Sequence, residues 1–516
     1  MHSSSEIEEM NESSLRSSFS SKSVSESFLD DDLDLQISQN DSALHRRIFS
    51  FFTSPLGKNL MVVTMLMITI AGMEIEWAGV YSWASSTLLE HGASGELSTL
   101  PFQLSPIISV IIIPIAGWAS DRVMPRAVRY RYGSRRLILT VSILLCGASS
   151  VCVPLTSGTI FPQLPNMFIV VSQLFLNTFI DILNKFIESF VRALVSTVAD
   201  PRIEGISHVL TTGILGFAMI FGFQATSLPL NDLLPVGHTM NLYFPLGVLI
   251  FFITAIPVFF SRAEARACCL KDNVDTPATR DRPLLSVADD GLSRVGDIED
   301  DGAKPDRGAR KRTSWVRVGL VLLWGMLSFF SAWTPWVFNP EFLGVEIYHG
   351  DPHAAPDSPA FHRYEKGSRL AGSSDSLISV GVLLSVFIWI ALDALLAKPL
   401  GRFRPMVFGA AFNVVMVVGM GLCAFSTSLP LFVFSQLLMG MGFGGSTNFI
   451  FSRAAHYTHI SDVGLVNTLV FSAETLPQML MTVSGTMAVG LTGSYRAPYV
   501  LGAVPMLIAI PLTFFL

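Results

Sequence analysis

From about residue 59 to the end, the chain alternates long apolar blocks with short polar links. Twelve such blocks can be marked, at about 59–89, 101–119, 137–155, 166–198, 207–227, 240–261, 314–337, 374–397, 405–425, 429–452, 463–489 and 496–516. Blocks of about 18 or more mostly apolar residues read as membrane-spanning helices. Several exceed ~20 residues, so tilt or extension beyond the bilayer is expected. The pattern predicts an all-α membrane protein with twelve transmembrane helices. Composition agrees: 50% of the 516 residues are hydrophobic and only 14% charged, against roughly 25% charged in soluble proteins.

The polar links set the orientation. The link after the second block, "DRVMPRAVRYRYGSRR", carries six arginines. "RAEAR" and "RGARKR" bracket the link after the sixth block, and "KPLGRFR" follows the eighth, whereas "PLNDLLPVGH" and "STSLP" have no Lys or Arg. Basic links stay cytoplasmic, which places both termini inside. The outer link after the seventh block is the exception, with Arg363, Lys366 and Arg369. Residues 1–56, rich in Ser and acidic residues, read as a disordered cytoplasmic tail and not a cleaved signal peptide. Residues 57–262 form a first group of six spans, 263–313 a flexible cytoplasmic loop, and 314–516 a second group of six. Two six-helix bundles joined by a long inner loop are the architecture of the major facilitator superfamily. The net charge of −6 says little beside its distribution, and no nucleic-acid partner is expected.

The informative residues are the charges inside the spans. "DILNKFIESFVRALV" holds Asp181, Lys185, Glu188 and Arg192. On a helix they fall at about 0°, 40°, −20° and 20°, in one narrow stripe. Spacings of four, three and four let each acid meet a base. Each such group facing lipid would cost about 2.5–3.5 kcal/mol, so the stripe is expected to face an aqueous cavity or partner helices. The alternative, an ion-pair ladder extending into water, is strongest for Arg192, at the cytoplasmic end. "GMEIEWAGVYSW" adds Glu74 and Glu76, two apart and on different sides of their helix, with no base nearby. A carboxyl in an apolar cavity is the kind of group that exchanges a proton near neutral pH. Trp77, Tyr81 and Trp83 are suited to stacking on a sugar ring, or to anchoring at the membrane interface. Glu474, followed by Pro477 and Gln478, is the clear mid-span charge of the second half. Cys146, Cys152, Cys268, Cys269 and Cys423 have no metal or disulfide spacing. Cys268 and Cys269, directly after a span, are either palmitoylation sites or ordinary loop thiols. No nucleotide loop, metal motif or nucleophile–base pair stands out, so neither an enzyme nor a metal or cofactor is expected.

Several motifs resemble the sucrose–proton symporters of plants and their animal relatives, in the glycoside–pentoside–hexuronide branch of the major facilitators. "GMEIEWAGVYSW" is similar to G-x-[QE]-F-x-[WY]-A, and "GWASDR…YGSRR" to G-x-x-SDR…FGRRRP. The stripe is similar to D-x-x-N-N-x-x-Q-x-x-x-RAL at Asp181, Asn184, Arg192, Ala193 and Leu194. "FNPEFLGVEIYHGDP" followed by "YEKGSRLAG" resembles F-x-x-D-W-M-G-x-E-V-Y-x-GDP and Y-D-x-G-V-R-x-G-A. "GLVNTLVFSAETLPQM" shares the family's first two and last three residues there, with Phe471 in place of its Asn and Glu474 extra.

The resemblance implies a proton-coupled symporter of sucrose or a related glycoside, working by alternating access. Asp181 would carry the proton, shared with Glu74. Sugar contacts would come from Glu74, Trp77, Tyr81, Asn184, Lys185, Glu188, Arg192 and Glu474. Asp121, Arg122, Arg135 and Arg136 would form a cytoplasmic gate. The partners implied are a small sugar, protons and the lipid bilayer, for a monomer in the plasma membrane or, alternatively, a vacuolar or lysosomal membrane; "DRPLL" resembles a sorting signal. Lys185, Glu188, Glu76 and Glu474 give more charge than a plain disaccharide needs, which also suits an anionic or zwitterionic solute. Lys185 beside Asp181 would weaken proton coupling and favour a uniporter. A membrane sugar sensor that binds without transporting is the remaining alternative.

Overall fold

The computed structural model describes residues 50, 53–93, 95–200, 202–227, 238–266, 312–352, 354, 355 and 358–516. The acidic tail, most of the loop expected in the cytoplasm, with Cys268, Cys269 and "DRPLL", and most of "PLNDLLPVGH" lie outside them. By its contacts the chain divides into Met1–Met61 and Val62–Leu516. In the first unit the described residues are helical from Pro55. The second unit carries the rest of the fold and all of the candidate site.

The structure is all helical among the described residues. In order, the helices are α1 (Pro55–Glu90), α2 (Gly95–Arg122), α3 (Arg126–Tyr132), α4 (Ser134–Thr156), α5 (Asn166–Val198), α6 (Glu204–Ser227) and α7 (Thr239–Phe260). After the inner loop come α8 (Trp315–Glu341), α9 (Pro359–Arg369), α10 (Ala371–Leu400), α11 (Arg404–Ala424), α12 (Leu429–Tyr457), α13 (Val463–Thr492) and α14 (Ala497–Leu512). Their limits follow local chemistry. Proline opens α11, α12 and α14, where its missing N–H is not needed. The Ser358 hydroxyl caps α9 by accepting from Phe361 N at 3.2 Å. Gly493, left-handed at φ 70°, ends α13, a conformation costly for other residues.

Eleven helices among the described residues are long and apolar enough to cross a membrane, one fewer than the twelve apolar blocks. The difference is α13. It has 30 residues, but Asn467, Thr468, Ser472, Glu474, Thr475 and Gln478 interrupt its apolar character. All of these except Ser472 are buried, so its polarity faces protein. Helix α2 shows the complementary arrangement. Ile107, Ile111, Ile115 and Trp118 are exposed at 44–60%, while Ser105, Ser109 and Ser120 are buried. Apolar residues outside and polar residues inside are what a lipid solvent selects.

Close packing joins α2 to α13, α6 to α10, α4 to α5 and α7, α8 to α13 and α14, and α12 to α10 and α11. The α2–α13 crossing depends on Gly117 and Gly464. A β-carbon on Gly117 would meet the Gly464 carbonyl and Thr468, and one on Gly464 would meet Ser120 and Asp121.

The described part of the link after α8 is structured. It continues through a π-helical turn, Phe342–Ile347, to α9, whose Gly367 packs on Gly344. The Glu346 carboxylate accepts from Ser494 Oγ (2.6 Å), Tyr495 N (3.0 Å) and Arg496 Nε (2.9 Å). It thereby ties the end of α8 to the α13–α14 connection. Arg363, part of the basic exception, donates to the His349 carbonyl at 3.3 Å.

Candidate functional site

The charged stripe of α5 lies inside the protein. Asp181 and Arg192 have no exposure, and Lys185 and Glu188 are also buried. The i,i+4 spacing is used twice: Lys185 Nζ donates to Asp181 Oδ2 at 2.6 Å, and Arg192 Nη2 to Glu188 Oε1 at 2.8 Å. Lys185 also donates to Ser105 of α2 (3.0 Å), and Trp77 Nε1 of α1 donates to Asp181 Oδ1 (2.7 Å). The Arg192 guanidinium lies 4.1 Å from the centre of the Phe451 ring of α12, a cation–π contact worth ~2 kcal/mol when desolvated. Charges that would be prohibitive in lipid are thus paired and covered.

Beside the stripe is a cavity. Its polar wall comprises Glu74 and Trp77 of α1, Asn184, Lys185 and Glu188 of α5, and Glu474 and Thr475 of α13. Its apolar wall includes Met73, Leu215 and Met219, with Trp333, Trp336, Phe443 and Phe471 opposite. Trp333 is held by its Nε1, which donates to the Glu474 carbonyl at 2.7 Å.

Six of the expected contact residues therefore line one space: Glu74, Trp77, Asn184, Lys185, Glu188 and Glu474. Asp181, Tyr81 and Arg192 do not. Asp181 sits behind Lys185 and Trp77. Tyr81 packs between Trp77 and Phe102, with centroids at 4.1 and 4.6 Å, and its hydroxyl accepts from Gln478 Nε2 at 3.3 Å. Arg192 is turned onto Phe451. Of the paired acids on α1, Glu76 points away from the cavity. Its carboxylate accepts from Ser150 Oγ, from Asn184 Nδ2 (3.2 Å) and from Cys146 Sγ (3.8 Å). The aromatic wall from α8 and α12 and Phe471 was not among the expected contacts; nothing distinguishes such rings in a uniformly apolar segment from rings facing lipid.

The expected gate residues gather at the C-terminal end of α2 and the start of α4. Asp121 accepts from Arg135 Nη2 at 2.5 Å, and from Gly464 N (3.2 Å) and Leu465 N (2.8 Å) at the start of α13. A carboxylate at a helix N-terminus satisfies N–H groups left without partners and opposes the helix dipole. Arg135 also donates to Thr197 Oγ1 (2.6 Å) and lies 3.9 Å from Glu264. Arg122 pairs with Asp462 at 2.6 Å, but its side chain is 58% exposed, which limits that pair's strength. Arg136 is directed elsewhere: its backbone N–H donates to Glu264 (2.9 Å) and its guanidinium to the Ser261 carbonyl. It braces α4 against the end of α7. Among the described residues, no group of three His, Cys, Asp or Glu side chains is placed to hold a metal ion.

No protein-family model matches the chain. It is 26% identical over 342 residues to the membrane-associated transporter protein of Mus musculus, an alignment covering 59% of this chain and 63% of the mouse protein. The match therefore spans less than two thirds of that relative's length. Among solved structures, a bacterial homologue of the iron transporter ferroportin in its outward-facing state superposes with a TM-score of 0.56 at 13% identity, covering 88% of this chain and 98% of that one. The proton:xylose symporter XylE, bound to 6-bromo-6-deoxy-D-glucose, superposes with a TM-score of 0.57 at 12% identity, over 89% of this chain and 96% of that one. The all-α, multi-spanning fold is shared with these solved structures.

Proposed function

We propose that this chain is a secondary transporter that carries sucrose or a related glycoside together with protons, by alternating access between two six-helix bundles. The observation carrying this reading is the buried cavity in which aromatic rings face carboxylates. Trp77, Trp333 and Trp336 offer flat apolar faces to a sugar ring, and Glu74, Glu188 and Glu474 offer acceptors to its hydroxyls. The match to a membrane-associated transporter protein and the fold shared with a proton:xylose symporter support it.

Proton coupling is assigned to Asp181 through its partner. While Asp181 is ionised, Lys185 is held against it at 2.6 Å. A proton arriving on Asp181 cancels the charge that holds the ammonium and leaves Lys185, which lines the cavity, available to a solute. Solute and proton then favour the same rearrangement, which is the requirement for symport. Asp121, paired with Arg135 of α4 and accepting from the first N–H groups of α13, would hold the cytoplasmic side closed until that rearrangement. A second reading, facilitated diffusion, follows from the same pair: Lys185 already neutralises Asp181 and can exclude the proton.

The test is uptake of labelled sucrose into cells displaying the protein, at mildly acidic and mildly alkaline external pH, with and without a protonophore, beside Asp181→Asn. Acid-stimulated accumulation, abolished by the protonophore and by the substitution, is expected. Uptake indifferent to both means facilitated diffusion. No sucrose uptake by surface-resident protein would eliminate this solute.

A further inference from the structure

Two carboxylates of the cavity remain after the basic groups are assigned. Lys185 is committed to Asp181 and Ser105, and Arg192 to Glu188. Glu74 and Glu474 form no ion pair among the described residues. They are only 4% and 6% exposed, and the Oε2 atom of each is buried without a hydrogen-bond partner. They come from α1 and α13 to line the same space. A buried carboxylate oxygen with no partner is among the more expensive features a fold can carry. The rings of Trp77, Trp333 and Trp336 line the same cavity, and the face of an aromatic ring is its electron-rich side. Unneutralised carboxylates together with aromatic faces are the complement of a cation. A neutral hydroxyl can donate to one such oxygen but cancels none of its charge.

We infer that the cavity selects solutes carrying a protonated amine, which Glu74 and Glu474 neutralise while the tryptophan rings cover its apolar surroundings. The inference rests on the transport reading and narrows it, from a glycoside to an amine-bearing one.

The test separates the two ideas with four ligands of similar size: glucose, glucosamine, cyclohexanol and cyclohexylamine. Binding to the purified full-length protein is read by quenching of tryptophan fluorescence at neutral pH, where both amines are largely protonated. Each amine is expected to bind roughly ten-fold or more tightly than its hydroxyl counterpart. Glu74→Gln and Glu474→Gln should each erase most of that preference by weakening the amine far more than its hydroxyl counterpart, since an amide still hydrogen-bonds a hydroxyl but cancels no charge. Equal affinities within each pair, binding by none of the four, or a preference surviving both substitutions would overturn the inference. The hydroxylated ring is judged separately. If cyclohexylamine matches glucosamine and glucose fares no better than cyclohexanol, the amine site stands and the sugar reading falls.

Discussion

Replacing Asp121 by Asn tests the cytoplasmic latch most directly. The substitution keeps the shape and one acceptor oxygen but removes the charge. The Asp121 and Arg135 side chains are 1% and 6% exposed, so water screens their attraction little. Breaking a buried pair costs about 3–5 kcal/mol. That pair joins α2 to α4, however; across the α2–α13 seam the asparagine oxygen can still accept from Gly464 or Leu465, so the loss there is one charge-assisted hydrogen bond, about 1.5–3 kcal/mol. At about 1.4 kcal/mol per ten-fold, the α2–α13 contact should open roughly ten to a hundred times more often. Thr468 reports this, being fully buried and packed on Gly117. In a cysteine-free background carrying Thr468→Cys, alkylation from the side on which Asp121 lies should accelerate by roughly that factor when opening and closing are fast relative to alkylation. Asp393→Asn is the control. It breaks a pair with Arg404 whose side chains are 47% and 32% exposed, worth about 1 kcal/mol or less. Equal alkylation rates with Asp121 and with Asn, in protein that remains folded, would refute the latch.

Two further outcomes are expected from the packing. Lys185→Met should lower thermal stability by about 3–5 kcal/mol, because Asp181 then keeps only Trp77; adding Asp181→Asn should restore most of the loss, and a double variant no more stable than the single one would show that the pair is not the cause. Gly367→Ala should cost about 1–3 kcal/mol, as its methyl group would meet the Gly344 backbone and the Leu343 carbonyl. Limited proteolysis from the outside should then cut residues 342–369 faster, whereas Gly319→Ala, with open space around it, should leave cleavage unchanged.

The helices were legible because apolar blocks separated by basic or turn-rich links admit few alternatives in a membrane. The α5 stripe was legible for a related reason: charge in an apolar helix must be paired or enclosed, and spacing alone gave the pairs. Glu74 and Glu474 stood out by the same scarcity. Other features depend on neighbours distant in the chain. Arg122 meets Asp462 across 340 positions, and no local pattern announces that partner. The sequence also could not separate the two acids of α1, one lining the cavity and the other enclosed by Ser150, Cys146 and Asn184. Tyr81 and Arg192 carry the right chemistry for a solute but spend it on Gln478 and on Glu188 and Phe451. Helix α13 reads in sequence as an ordinary span, and its polar face becomes intelligible only with α2 packed against it.

That helix has no cap of its own: the Asp462 side chain makes no capping bond, and Asp121 from α2 accepts from its first N–H groups instead. A borrowed cap at a helix end can be returned. If α2 and α13 part, water can take the place of Asp121 at each N–H and of the backbone at the carboxylate, bond for bond. An apolar seam opened at the same place would gain no such replacement and would resist with its full buried area. A polar clasp at the water's edge therefore combines firm geometry when shut with an almost even exchange when released, which suits the alternating access proposed for this chain.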